Sequence, residues 1–155
     1  QKLMIYLRTI QDGFIYGSIN LSRRGLFHFP VEVLQAGEYI TSLILSYNDI
    51  EEIPYDISSL SCLTVLDVSN NRVKELPEAV GLMTGLREVY LGSNNLRVLP
   101  SSFEKLVHLS ALDVQFNPLD TFPFHLIDRW SSISTLNLDT ERMVVLPDGA
   151  TQSRS

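Results

Sequence analysis

Asp67, Tyr90 and Asp113 stand at equal intervals of 23 residues, a phenol between two carboxylates. Groups of these types hold cations, exchange protons or grip a basic surface, provided the chain returns to the same place every 23 residues. Other reactive groups are harder to assemble into a site. The single cysteine, Cys62, precedes the apolar Leu63 and reads as a small, semi-buried hydrophobe rather than a nucleophile. His28, His108 and His125 are not spaced as metal ligands and fall on expected outer segments. The stretch "GLMTG", Gly81 to Gly85, is too short to cradle a phosphate, and no Walker-type loop or GxGxxG occurs. Acid, base and nucleophile converge nowhere. The reading is of a non-enzyme with no cofactor, no metal and no small-molecule substrate.

The interval of 23 is a property of the whole chain. "LTVLDVSNNRVKELP", Leu63 to Pro77, recurs as "LREVYLGSNNLRVLP", Leu86 to Pro100, as "LSALDVQFNPLDTFP", Leu109 to Pro123, and earlier as "ITSLILSYNDIEEIP", Ile40 to Pro54. Two weaker copies flank these at a 24-residue step: "YGSINLSRRGLFHFP", Tyr16 to Pro30, and "ISTLNLDTERMVVLP", Ile133 to Pro147. Within a copy the apolar residues first alternate, as in a strand, and then do not. Alternation puts Leu66 and Val68 on one side of a short strand. One such unit cannot bury its apolar face alone, so successive copies must stack. After the strand the chain turns inside the stack, where backbone groups need partners. An asparagine side chain supplies both a donor and an acceptor, so Asn48, Asn71, Asn94 and Asn117 are expected to form a ladder of buried amides. Pro54, Pro77, Pro100 and Pro123 then send the chain to the other side. There "PSSFEKLVHL" predicts a short helix with a Ser101/Glu104 capping box and with Phe103, Leu106 and Leu109 facing in.

This pattern resembles the leucine-rich repeat, LxxLxLxxNxLxxLPxxhxxh, in its 23-residue "LP" form, over residues 16 to 147. The resemblance implies an α/β fold: a leucine-rich-repeat solenoid of about six repeats, with a curved parallel sheet on the concave face and short helices, 3-10 turns and loops on the convex face. The form is similar to intracellular scaffolds of the Sur-8/Shoc Ras-binding type, the plant intracellular Ras-group-related proteins, and the Scribble and Erbin type. It implies cytoplasmic protein–protein binding in signal transduction, with partners such as a Ras-like GTPase or a phosphatase. The same repeats serve as recognition segments of Roco-type kinases, cyclases, phosphatases and ubiquitin-ligase effectors, so a targeting segment of a larger enzyme is the alternative.

In that register the positions between the inward leucines face the concave side. The central column reads Asn20, Ile44, Asp67, Tyr90, Asp113, Asn137, the next Ser22, Ser46, Ser69, Gly92, Gln115, Asp139, and the position before each Asn reads Arg23, Tyr47, Asn70, Ser93, Phe116, Thr140. Parallel strands lie ~4.8 Å apart, so Asp67, Tyr90 and Asp113 share a row. Freed from the core, Ile44, Tyr47, Asp67, Tyr90, Asp113, Gln115, Phe116 and Asp139 form the expected protein-binding surface, with aromatic anchors and an acidic rim suited to a basic partner.

Composition agrees. An excess of 18 acidic over 12 basic residues gives a net charge of −6, unsuited to gripping a phosphate backbone. No apolar run approaches membrane-spanning length, and no signal peptide is visible. A lone cysteine favours a reducing compartment, although Asn20-Leu21-Ser22 is a glycosylation triplet. Residues 1–15 are expected to be an N-terminal flank or capping helix, with Leu3, Leu7 and Ile10 on its inner face and a stop at Asp12-Gly13; 16–150 form the repeat domain, and 151–155 a loose tail. Arg24 and Glu141 replace Asn in the terminal copies. No cap is visible after Pro147, so the chain is expected to continue in a longer protein.

Overall fold

The computed structural model describes residues 1–139. Within them, six strands of three residues each form one parallel sheet in sequence order: β1 (Ser18–Asn20), β2 (Ser42–Ile44), β3 (Val65–Asp67), β4 (Glu88–Tyr90), β5 (Ala111–Asp113) and β6 (Thr135–Asn137). The middle residue of each strand pairs with its repeat equivalent, Ile19 with Leu43, Leu66, Val89, Leu112 and Leu136 in turn. The side chains of these residues stack in one inner row. It is completely buried from Ile19 to Leu112. Leu136, with Ile133 and Leu138 beside it, is only half-buried, because β6 has a described neighbour on one side alone.

Immediately before each asparagine the backbone turns left-handed. Arg23, Tyr47, Asn70, Ser93 and Phe116 all have φ between 56° and 58°. Non-glycine residues rarely adopt this conformation. Here it points one side chain out to the concave surface and turns the next, the asparagine, inward. Each inward amide then ties its own repeat to the one before it. The Asn71 amide nitrogen donates to the carbonyls of Val68 and of Leu45 in the previous repeat (3.0 Å each), and its Oδ1 accepts the Ile50 N–H at 3.0 Å. Asn94 repeats this with Leu91, Val68 and Val73, and Asn117 with Val114, Leu91 and Leu96. Asn48 takes two backbone N–H groups, those of Arg24 and Leu26, in the first copy, where Arg24 itself offers no inward amide.

The convex side is built of 3-10 turns: Tyr55–Ser59, Glu78–Leu82, Ser101–Lys105 and Phe124–Asp128, preceded by Val31–Tyr39, which breaks at Gly37. A proline opens each. Few residues remain before the next strand, and the tight 3-10 geometry fits that length. Phe103, Leu106 and Leu109 are buried. The expected capping box does not form, because Ser101 and Glu104 make no side-chain cap. Ser101 instead reaches back one repeat: its N–H and hydroxyl donate to Glu78 Oε1 at 3.0 and 2.9 Å. The Ser102 N–H donates to Glu78 Oε2 and its hydroxyl to the Glu78 carbonyl. Adjacent turns approach so closely that a Cβ at Gly81 would lie 2.2 Å from that of Ser102.

The bond from Ser101 chiefly holds the Glu78 carboxyl below its usual range. A depressed carboxylate adds stability that is present above its unfolded pKa and lost as pH falls through the folded value. An NMR pH titration is expected to place Glu78 below the ordinary glutamate range, and Ser101→Ala to raise it.

Helix α1 (Lys2–Tyr16) covers the first repeat. It runs through Asp12 and Gly13 and ends at Gly17, whose φ of 77° suits a left-handed C-cap. Gly13 is thus a packing position rather than a stop: a Cβ there would sit 2.3 Å from Ile19 Cγ1. The inward face is Tyr6, Ile10 and Gly13, and Tyr6 donates to Glu32 at 2.7 Å. Leu3 and Leu7 are exposed, contrary to expectation, since α1 meets the solenoid through its second half. At the other end Trp130 is buried against Phe122, its indole N–H donating to the Phe103 carbonyl at 3.1 Å. Cys62 is exposed rather than semi-buried, because it precedes the inward row. Glu141, Pro147 and the 151–155 tail lie outside the described residues.

Candidate protein-binding site on the concave sheet

The strand register sets the central row. Ile44 pairs with Asp67, Asp67 with Tyr90, Tyr90 with Asp113 and Asp113 with Asn137. Beside this row the left-handed turns raise Tyr47 and Phe116 into solvent, 47% and 68% exposed. Between them lies an open hollow of about 310 Å³ whose lining includes Tyr47, Asp67, Tyr90, Asp113, Gln115 and Phe116. Ile44 lies one strand away, half-buried beside Asp67, and Asp139 belongs to the repeat of β6. Neither lines the hollow.

The row does more for the fold than a free surface would. Asp67 Oδ1 accepts the Ser69 N–H at 2.9 Å and the Ser69 hydroxyl at 2.6 Å. Asp113 Oδ1 accepts the Gln115 N–H at 3.0 Å, and Asn20 holds Ser22 in the same way. Asn20, Asp67 and Asp113 therefore cap the turns that follow β1, β3 and β5, a duty to the local backbone that freedom from the core did not imply. Only one oxygen of each aspartate is engaged by its turn.

Tyr90 is tied down from the side. Its hydroxyl donates to Glu88 Oε1 at 2.5 Å, two residues back on the same face of β4. That bond, then burial, then the negative charges of Glu88, Asp67 and Asp113, push the phenol up to about 12. The phenol keeps its proton, so its contribution to stability is whole below the unfolded value near ~10 and is lost as pH climbs toward the folded one. Burial and the bond to Glu32 also push the Tyr6 phenol up, so spectrophotometric titration is expected to show two tyrosines ionising late, and Glu88→Gln to bring down that of Tyr90 alone. Tyr47 is overlain by Arg23 of the preceding repeat, its guanidinium carbon 3.9 Å from the ring centroid.

Glu88, Ser69, Asn70, Gly92 and Ser93 belong to this surface and were not among the expected site residues. Glu88 had a signal: it lies two positions before Tyr90 on one strand, hence on the same face. His28, His108 and His125 are exposed and do not line the hollow. Among the described residues no cluster of three or more His, Cys, Asp or Glu is arranged to hold a metal ion, and no helix is long and apolar enough to cross a membrane.

Residues 63–119 match the family model described as leucine rich repeat. No curated protein is significantly similar to the chain in sequence. Among solved structures, an LRR protein of Leptospira interrogans is similar with a TM-score of 0.69 and 22% identity, over 89% of this chain and 40% of that one. The LRR ectodomain of the receptor kinase SOBIR1 from Arabidopsis thaliana gives 0.68 and 24%, over 77% and 67%. A TDR receptor gives 0.71 and 26%, over 82% and 22%. The chain thus spans less than half the length of the Leptospira protein and of the TDR receptor. Over the described residues the chain has the fold of an α/β leucine-rich-repeat solenoid of about six repeats, an architecture whose general use is protein–protein interaction.

Proposed function

We propose that this chain is a non-catalytic interaction module, a cytoplasmic signalling scaffold that takes a protein partner, such as a Ras-like GTPase or a phosphatase, on its concave face. One observation carries the reading: Tyr47, Tyr90 and Phe116 gather around a single hollow with Asp67 and Asp113. Aromatic side chains framed by charge are the usual anchors of a protein interface. Tyr90 and Phe116 are the anchors; Asp67, Asp113 and Asp139 supply the rim. A reducing compartment suits the one exposed, unpaired cysteine among the described residues.

The likeness to the ectodomain of a receptor kinase favours a second reading, in which the chain is the recognition segment of a larger signalling protein whose catalytic part lies elsewhere. The full-length reading frame separates the two.

Affinity capture with the wild type, Tyr90→Ala and the convex-side His125→Ala, followed by mass spectrometry, tests the surface. A partner retained by His125→Ala and lost by Tyr90→Ala is expected. A partner retained equally by both would move the site off the concave face.

A further inference from the structure

The charged groups in the hollow around Tyr90 are all acceptors, while the side chains of Asn70, Ser93 and Gln115, which also line it, can donate or accept. The Tyr90 proton is committed to Glu88, which leaves the phenol oxygen as an acceptor. The Ser69 N–H and hydroxyl both go to Asp67 Oδ1, and the Gln115 N–H goes to Asp113 Oδ1. Among the described residues Asp67 Oδ2 has no hydrogen-bond partner, and Asp113 Oδ2 meets only the Asn137 amide at 3.5 Å. No lysine or arginine lines the hollow. Gly92 lies in it beside Asp113, where a Cβ would come within 3.3 Å of Asp113 Oδ1. Glycine at this point keeps a notch open beside Asp113, in the hollow that Asp67 and Tyr90 also line.

Resting on the concave-face reading above, the geometry points to an arginine side chain of the protein partner as the group that fills this notch, its guanidinium against Tyr90 and its N–H fork turned to Asp67 and Asp113. The occupant must be cationic, because two carboxylates face it with no internal cation. It must bring several donors, because the two carboxylates and the phenol oxygen accept. Guanidinium meets both conditions; it is planar, stacks on aromatic rings and offers five donors, whereas ammonium is a compact point charge. The chain shows the same stacking once within itself, Arg23 over Tyr47 at 3.9 Å. A volume of about 310 Å³ admits one such side chain.

The test uses the whole chain, 15N-labelled, titrated with N-acetylarginine methylamide and with the corresponding lysine and citrulline derivatives. Citrulline keeps the shape of arginine without its charge. The arginine derivative is expected to shift the amide signals of Tyr90, Gly92 and Asp113 saturably, and the other two to do so at least ~5-fold more weakly. The Asp67→Asn/Asp113→Asn double variant keeps the oxygen that holds each turn. It should lose the response while signals far from the hollow stay at their wild-type positions. Equal shifts with lysine or citrulline, no saturable shift at the hollow, or a response that survives in the double variant would overturn the arginine assignment. Concave docking is judged separately, by the effect of Tyr90→Ala and Phe116→Ala on the captured partner. Loss of that partner with no arginine response would remove the arginine and leave the docking surface standing.

Discussion

Leu66→Ala is expected to destabilise the chain by about 2–5 kcal/mol. Leu66 is fully buried in the middle of the inner row, between Leu43 and Val89. Both neighbours are held by strand pairing, so the structure cannot collapse into the space left behind, and the cost should lie well above simple transfer of the lost methyls. Lys105→Ala, on an exposed convex turn, is the matched control and should change stability by no more than roughly 0.5 kcal/mol. Thr64 is a poorer control than its variable position suggests, because its hydroxyl donates to the Thr41 carbonyl at 3.1 Å. Chemical denaturation reads the difference. Equal losses at Leu66 and Lys105 would mean that the inward register is wrong.

Asn71→Ala should cost about 1–3 kcal/mol, and the bonding pattern says where the loss arises. The carbonyls that Asn71 serves are doubly supplied: Leu45 also takes the Asn48 amide and Val68 the Asn94 amide. They keep a partner in the variant. The Ile50 N–H goes to Asn71 Oδ1, and the variant strands it in the interior. Asn48 holds two part-buried N–H groups and, among the described residues, is the one donor to the buried Leu21 carbonyl, so Asn48→Ala should cost at least as much as Asn71→Ala. Asn95→Ala, at the exposed position after the ladder, should cost little. Asn70 is a less clean comparison, because its left-handed φ of 56° penalises alanine whatever its side chain touches. Thermal and denaturant melts of the three asparagine variants give the ranking.

Legibility followed periodicity. The rows into which recurring side chains fall could be placed from the letters: Leu43, Leu66, Val89 and Leu112 in one row, Asn71 and Asn94 pointing in, and Asp67, Tyr90 and Asp113 side by side. Features made once, between particular side chains, were hidden. Glu78 binds Ser101 and Ser102 only because two convex turns approach closely at Gly81, and local spacing suggested a capping box within one turn instead. Gly13 looked like a helix stop because an Asp-Gly pair commonly marks a turn; what decides is the tertiary contact with Ile19, which rewards a missing Cβ inside α1. The left-handed backbone at Tyr47 and Phe116 could not be read from residue type, since neither favours it. It is imposed by the need to turn the following asparagine inward. The turn-capping oxygens of Asp67 and Asp113 were missed for a related reason: an acid on a surface column reads the same whether it serves a partner or its own loop.

The central claim is that Tyr90 anchors a protein partner on the concave face. Isothermal titration calorimetry of the captured partner against wild type, Tyr90→Ala and His125→Ala tests it most directly. The expected result is a loss of about 2 kcal/mol or more for Tyr90→Ala, roughly 30-fold in Kd, in a protein that stays folded with only a small fall in melting temperature, and wild-type affinity for His125→Ala. Wild-type affinity in a folded Tyr90→Ala variant would contradict the account.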